Sequence, residues 1–357
     1  CDEALGCYDQ MRSEGLSPDA VTFTCILKAC GSTKAIGKGK LIHEEVSNRG
    51  LQVKNVVVAT ALVDMYVKCG VYLKAQRLLE ELHIRDSILW NALIAGYAQQ
   101  GEHHEAVNCF ARMQSEGLAA NEVTFSCILK VCGRVGFIEK GKQVHDDIVR
   151  RDMLQNDVLL GTALVDMYAK CGMLAKAHQV LENLPVQDVI CWNAFIAGCA
   201  QQGKGYKALQ AYRQMQNEGL SPDKITFLCV LSACSHSGLL DEAEMVFGDM
   251  TGKYGITPSL KHHTNMVMVF GLAGHFDKAI SIIKGMPYSD HSEIWLALLC
   301  GCKKWGNVKL GRLTFDQMVQ LENCCGAAYF CMADIFVAAG MQQDAKTIDA
   351  MRLKYVA

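Results

Sequence analysis

The sequence predicts an all-α fold, a solenoid of stacked helix–turn–helix units, and three observations carry this. The chain repeats itself in register: MRSEGL at Met11, MQSEGL at Met113 and MQNEGL at Met215 lie 102 residues apart. Apolar residues recur at helical rather than alternating spacing, and no strand pattern competes. Only five of the 357 residues are proline, which suits helices.

The repeat subdivides into units of 36, 31 and 35 residues, taken as 20–55, 56–86 and 87–121, and again as 122–157, 158–188 and 189–223. In 20–55, VTFTCILKACG begins at Val21 and returns as VTFSCILKVCG at Val123 and ITFLCVLSACS at Ile225. In 56–86, TALVDMYVKCG at Thr60 returns as TALVDMYAKCG at Thr162. In 87–121, WNALIAGYAQQG at Trp90 returns as WNAFIAGCAQQG at Trp192. Each unit is expected to hold two helices. For 87–121 these span about 88–99, with Leu89, Leu93, Ile94 and Tyr97 on one face, and about 104–115, with Ala106, Val107, Phe110 and Met113. Gly101 ends the first and Gly117 the second. Helices this short are marginal alone, so stability must come from stacking hairpin on hairpin. Residues 1–19 read as the tail of an earlier repeat, and the chain is expected to be a fragment of a longer product.

Composition narrows the function. A net charge of −2 argues against gripping nucleic acid mainly through phosphates, while leaving open a locally basic groove or the reading of base edges. No apolar run approaches the ~20 residues of a membrane span; the best, 56–63, stops at Asp64. Most of the 18 cysteines sit in apolar helical stretches at recurring positions and read as small buried thiols in a reducing compartment.

The 36, 31 and 35 residue units, with TALVDMYAKCG, WNAFIAGCAQQG, QMQNEGLSPD and ITFLCVLSACSHSGLLDEA, resemble the L, S and P motifs of plant pentatricopeptide repeat proteins of the PLS class. The resemblance covers nearly the whole chain. It assigns 1–19 as a partial P-type repeat, 20–55 and 122–157 as L, 56–86 and 158–188 as S, and 87–121 and 189–223 as P. It continues with 224–259 as the last L-type repeat and 260–291, through GLAGHFDKAISIIKGMP, as the last S-type repeat. IWLALLCGCKKWGNVKLG marks 292–325 as an E1 motif, and FCMADIFVAAG marks 326–357 as an E2 motif that ends early. His291 stands where that family usually has Asp, and the stretch from Leu321 lacks its usual Glu-Pro-Glu. The resemblance implies a right-handed α-solenoid superhelix, similar to tetratricopeptide folds. It also implies single-stranded RNA binding at one base per repeat. Such members serve as site-recognition factors for cytidine-to-uridine editing in mitochondria or chloroplasts.

The resemblance further implies which residues read RNA: position 5 of each unit, on the first helix along a concave groove, paired with the unit's last residue. Polar side chains suit this, because hydrogen-bonding pattern distinguishes base edges. The pairs are Thr60 with Asp86, Asn91 with Asn121, Thr162 with Asp188, and Asn193 with Asp223. By the family's code Thr with Asp implies guanosine, Asn with Asp uridine and Asn with Asn a pyrimidine, giving 5′-G, C or U, any, G, U-3′. A second tier comprises Thr24 with Asn55, Ser126 with Asp157, and Thr264 with His291, whereas Leu228 with Ser259 offers no polar group at position 5. Position 2 is apolar at Val21, Val57, Ile88, Val123, Leu159, Ile190 and Ile225, which the family uses to sandwich bases, worth about 1 kcal/mol per base. The same Asn and Asp residues also fit helix N-caps, and both roles can hold at once.

The chemistry of deamination is not present in this sequence. It needs an H-x-E with a C-x-x-C. His43-Glu44-Glu45 offers a bare H-x-E, but its counterpart is His145-Asp146-Asp147, and no C-x-x-C occurs. His262 and His263 have no companion Glu or Cys constellation, and Cys300 with Cys302 and Cys324 with Cys325 have the wrong spacing for zinc. Trp90 and Trp192 fit inter-helix packing. No catalytic residue, metal or cofactor is expected, and no membrane partner. A deaminase-domain protein or another editing factor is expected to dock on 292–357, or the deaminase to lie in a C-terminal extension. The competing reading is a protein-binding helical-repeat scaffold without base recognition.

Overall fold

The computed structural model describes residues 2–81, 87–155, 157–286, 291–321 and 326–355. Among them every regular element is a helix. They form two compact units, residues 1–171 and 172–357.

The first unit runs α1 (Asp2–Ser13), α2 (Ala20–Thr33), α3 (Ile36–Asn48), α4 (Leu51–Lys54), α5 (Val56–Lys68), α6 (Tyr72–Glu81), α7 (Ser87–Gln100), α8 (His103–Ser115), α9 (Glu122–Val135), α10 (Ile138–Arg150) and α11 (Val158–Lys170). Each hairpin packs its second helix on its first, as α3 on α2, α8 on α7 and α10 on α9. Successive first helices then pack side by side in the order α2, α5, α7, α9, α11. The result is two layers with the core between them, where Phe23, Leu62, Trp90, Phe110, Phe125 and Tyr168 are buried.

The second unit runs α12 (Leu174–Glu182), α13 (Val189–Gln201), α14 (Gly205–Asn217), α15 (Lys224–Ser237), α16 (Leu240–Gly252), α17 (Leu260–Ala273), α18 (Phe276–Gly285), α19 (Ser292–Trp305), α20 (Val308–Gln320), α21 (Gly326–Ala338) and α22 (Gln342–Tyr355). Its first helices α13, α15, α17, α19 and α21 pack in sequence over Trp192, Phe195, Phe227, Met266, Leu298 and Tyr329.

Local chemistry explains the element ends. In α7 and α8 the stripe residues Leu89, Leu93, Ile94, Tyr97, Ala106, Phe110 and Met113 are buried, and Val107 is half-buried. Gly117 adopts φ +74°, and the next amide, Leu118 N, donates to Met113 O at 3.1 Å. That is the left-handed turn that releases a helix end. The expectation of two helices per unit needs one correction. The stretch 20–55 holds a third helix, α4, entered through Gly50 at φ +64°. Its extra length must be folded before Asn55 can cap α5.

The thiol expectation also needs correction at two places. Cys30, Cys132 and Cys234 are buried, but Cys7 and Cys25 are exposed. Cys25 sits one residue past Thr24, at the solvent-facing rim of α2 rather than on its core stripe.

Candidate nucleic-acid interface

The candidate readers sit on one edge of the first helices, at the N-terminal turn. All seven position-2 residues are exposed despite being apolar, from Ile190 at 55% to Ile88 at 73%. In the first unit, Val21, Val57, Ile88, Val123 and Leu159 occupy the same place on helices that pack side by side. Folding alone gives no reason for a bulky aliphatic at that exposed position in every repeat.

Three residues further on come the position-5 side chains. The threonines turn their hydroxyls onto their own helix: Thr24 donates to Ala20 O at 2.9 Å, Thr162 to Val158 O at 2.9 Å and Thr264 to Leu260 O at 3.0 Å. Thr24, Thr60, Thr162 and Thr264, like Ser126 and Leu228, are half-buried. The asparagines lie deeper, Asn91 being 7% and Asn193 6% exposed.

In five units the last residue, Asn55, Asn121, Asp157, Asp188 or Asp223, caps the following helix. Asn55 Oδ1 accepts from Val57 N at 3.0 Å and Val58 N at 3.3 Å. Asp157 accepts from Leu160 N at 3.0 Å, and Asp188 from Cys191 N at 2.8 Å. Asn121 and Asp223 each close a full capping box with a threonine at the third helical position. His291 precedes α19 without a capping hydrogen bond from its side chain. Asp86 lies outside the described residues.

Two of the expected pairs are brought together within single units. Asn193 Nδ2 donates to Asp223 Oδ1 at 3.1 Å, and the same oxygen accepts from Thr226 N at 2.7 Å and Thr226 Oγ1 at 2.9 Å. Asn193 Oδ1 is buried with no hydrogen-bond partner among the described residues. Burial alone would raise the Asp223 carboxyl, but hydrogen bonds from the Thr226 amide and hydroxyl, and from Asn193, outweigh it and hold the group below its ordinary pKa. The other pair is joined through a hydroxyl: Thr124 Oγ1 lies within hydrogen-bond reach of Asn91 Oδ1 and, at 2.9 Å, of Asn121 Oδ1. The structure thus adds Thr124 and Thr226, both fully buried, to the site. Their sequence signal was present as Asn121-x-x-Thr124 and Asp223-x-x-Thr226, the spacing of a capping box.

The residues set aside for catalysis are accounted for by packing. His43 Nδ1 is 2.9 Å from Tyr66 OH and His145 Nδ1 is 2.9 Å from Tyr168 OH, the same contact in both blocks. His262 is 2% exposed. Its Nδ1 accepts from Ser259 N at 3.2 Å, and its Nε2 lies 3.0 Å from Lys224 O, so it serves as a cap partner. No group of three or more metal-ligating side chains occurs among the described residues. No helix there is long and apolar enough to cross a membrane.

Comparison with known proteins decides the family. A sequence model described as the PPR repeat family matches residues 85–134 and 187–236. A second, described as the PPR repeat, matches 57–86, 123–153, 162–187, 225–254 and 262–291. Together they cover more than half of the chain. The chain belongs to the pentatricopeptide repeat family. Relatives include a pentatricopeptide repeat-containing protein of Arabidopsis thaliana, 32% identical over 99% of this chain and 57% of its own length. The chloroplastic Arabidopsis protein CRR2 is 34% identical over 97% of this chain and 53% of its own. The chain spans between about a third and three fifths of the length of such relatives. Among solved structures, the maize pentatricopeptide repeat protein PPR10 superposes with a TM-score of 0.64 at 20% identity, covering 96% of this chain and 55% of that one. PPR10 in complex with an 18-nt psaJ RNA element superposes at 0.57 with 19% identity, covering 99% and 58%. At such identity the likeness shows the fold alone, that of a pentatricopeptide repeat solenoid.

Proposed function

We propose that this pentatricopeptide repeat chain binds single-stranded RNA, reading one base per repeat. The observation that carries this is the pairing of exposed aliphatics with polar groups three residues on, at the same edge of successive helices. Exposed Val, Ile and Leu pack against base faces without regard to sequence, and the polar groups beside them select the base edge. The likeness to PPR10 in its RNA complex supports the same reading.

Asn193 with Asp223 is the best-formed reader. Its unpartnered Oδ1 is an acceptor that the imide N–H of uridine would satisfy. Thr60 and Thr162, each with an Asp at the end of its unit, read guanosine, and Asn91 with Asn121 reads a pyrimidine. Ser126 with Asp157 is left open, so the target core is 5′-G, C or U, any, G, U-3′. Thr24 with Asn55 and Thr264 with His291 contribute at the flanks.

The broader role is target recognition for cytidine-to-uridine editing in a mitochondrion or chloroplast. The chain itself is not an enzyme in this reading, and the deaminase is supplied in trans or by further polypeptide. Residues 292–325 and 326–357 form its docking platform. Position 5 there holds Leu296 and Phe330, and Phe330 is 52% exposed, which favours contact with protein over a base edge.

Binding to short RNAs varied one base at a time around this core, at fixed salt, tests the reading. Asn193→Thr should move preference at the last position from uridine towards guanosine and leave the others unchanged. Binding without sequence preference would reduce the polar pairs to caps and favour a protein-binding scaffold.

A further inference from the structure

The reading edge carries a charge pattern that base recognition does not use. Four residues past position 5, one helical turn along the same edge, stands position 9. In α2 and α9 it is Lys28 and Lys130, aligned with Val21 and Thr24, and with Val123 and Ser126. In α5 and α11 it is Asp64 and Asp166, and each is neutralised on its own helix, by Lys68 at 2.7 Å and Lys170 at 2.6 Å. In α7 it is Ala95. Within the first unit the edge is therefore positive at two of the five first helices, three helices apart.

Lys28 and Lys130 are both exposed, and neither takes part in an ion pair or side-chain hydrogen bond among the described residues. On second helices Lys38, Lys142 and Lys278 are paired with Asp9, Glu139 and Glu244, whereas Lys40 on α3 is exposed and has no ion pair among the described residues, like Lys28 but off the reading edge. Compensation of the helix dipole does not explain Lys28 or Lys130, since each lies more than a turn before its helix end.

We infer that Lys28 and Lys130 bind phosphodiester groups of the RNA backbone, one anchor for every three nucleotides. The inference rests on the proposed RNA reading and adds a role that the base code does not assign. Two neighbours make the site suitable. The small Thr24 and Ser126 leave the ammonium accessible, and the exposed aliphatic at position 2 lies on the same edge. A lysine contacts phosphate as a point charge, without reading sequence. The arrangement also reconciles a net charge of −2 with nucleic-acid binding, because acids are paired off where they would face the backbone.

The test measures affinity against salt for the full chain and for Lys28→Gln, Lys130→Gln and the double variant, with Lys40→Gln on α3 as the control. Each phosphate contact to a single strand contributes about 0.7 to the slope of log affinity on log salt. Each variant at Lys28 or Lys130 should therefore flatten the slope by ~0.7, and the double variant by ~1.4. Equivalently, from 50 to 200 mM salt each lysine accounts for roughly a 2.6-fold loss. Base preference should not move, and Lys40→Gln should leave the slope alone. Base-specific binding with an unchanged slope in the double variant would overturn the lysine assignment while leaving the RNA reading intact. Failure of the unaltered chain to bind RNA at any salt would overturn both.

Discussion

Asp223 closes the first turn of α15 and also holds the amide of Asn193, so one carboxylate serves helix and site together. Asp223→Ala should cost about 1 kcal/mol, the usual worth of an N-cap, read as a lower urea midpoint. Asp223→Asn should cost less, because the amide oxygen can still accept from Thr226. His262 gives a pH prediction. Burial, ahead of its neighbours, lowers its pKa from 6.5, so the folded state favours neutral imidazole, held between Ser259 and Lys224. The unfolded chain takes up the proton first as pH falls. Stability is thus complete above about 6.5, is lost as pH falls from there to the folded-state pKa, and then levels off. His43 and His263 are lowered by burial too and add in the same direction. Thermal melts from pH 8 to 5 should show the drop, and His262→Gln should reduce it. An unchanged pH profile in that variant would exclude His262 as a contributor.

At the scale of helices, backbone meets backbone between α17 and α19. A Cβ on Gly301 would lie 2.7 Å from Gly271 Cα and carbonyl carbon, atoms that cannot rotate away. The tenth residue of a unit is Met65 or Met167 in 56–86 and 158–188 but Gly96 or Gly198 in 87–121 and 189–223, so Gly301 keeps the small residue of the units that follow them. Gly301→Ala gains up to ~1 kcal/mol in helix propensity. Overpacking costs ~1–3 kcal/mol, and with backbone on both sides it should win, lowering the melting temperature. Gly248 in α16 is the counter-case. Nothing lies within 4 Å of its Cβ position, so Gly248→Ala should stabilise by about 0.5–1 kcal/mol.

At the scale of the molecule, the repeat makes whole blocks interchangeable. The Asn91 amide meets Thr124, and the Asn193 amide meets the carboxylate that Thr226 also binds. Joining residue 121 directly to 224 therefore sets Asn121 before Thr226 with the same capping spacing. Because solenoid stability is close to a nearest-neighbour sum, the shortened chain should fold with unchanged helical signal per residue. On the proposed reading its RNA target should shorten by three nucleotides. Loss of the helical signal on circular dichroism would refute this modularity. Net charge of −2 and two anchoring lysines should also keep the salt dependence of RNA binding shallow beside strongly basic binders.

The sequence by itself determined the fold, because a register of 102 residues with helical periodicity leaves only stacked hairpins as a way to bury the stripes. Helix ends were legible for the same reason: caps and glycines are local, as Asn121 and Gly117 show. The candidate readers could be named by position, but their partners could not. That Thr226 and Asn193 share one carboxylate oxygen and that Val21 and Ile88 face solvent depend on which helix lies alongside. The extra helix α4 and the Gly271–Gly301 contact were hidden likewise. The shared carboxylate and the Gly271–Gly301 contact join residues about thirty apart in the chain, where packing rather than local propensity decides.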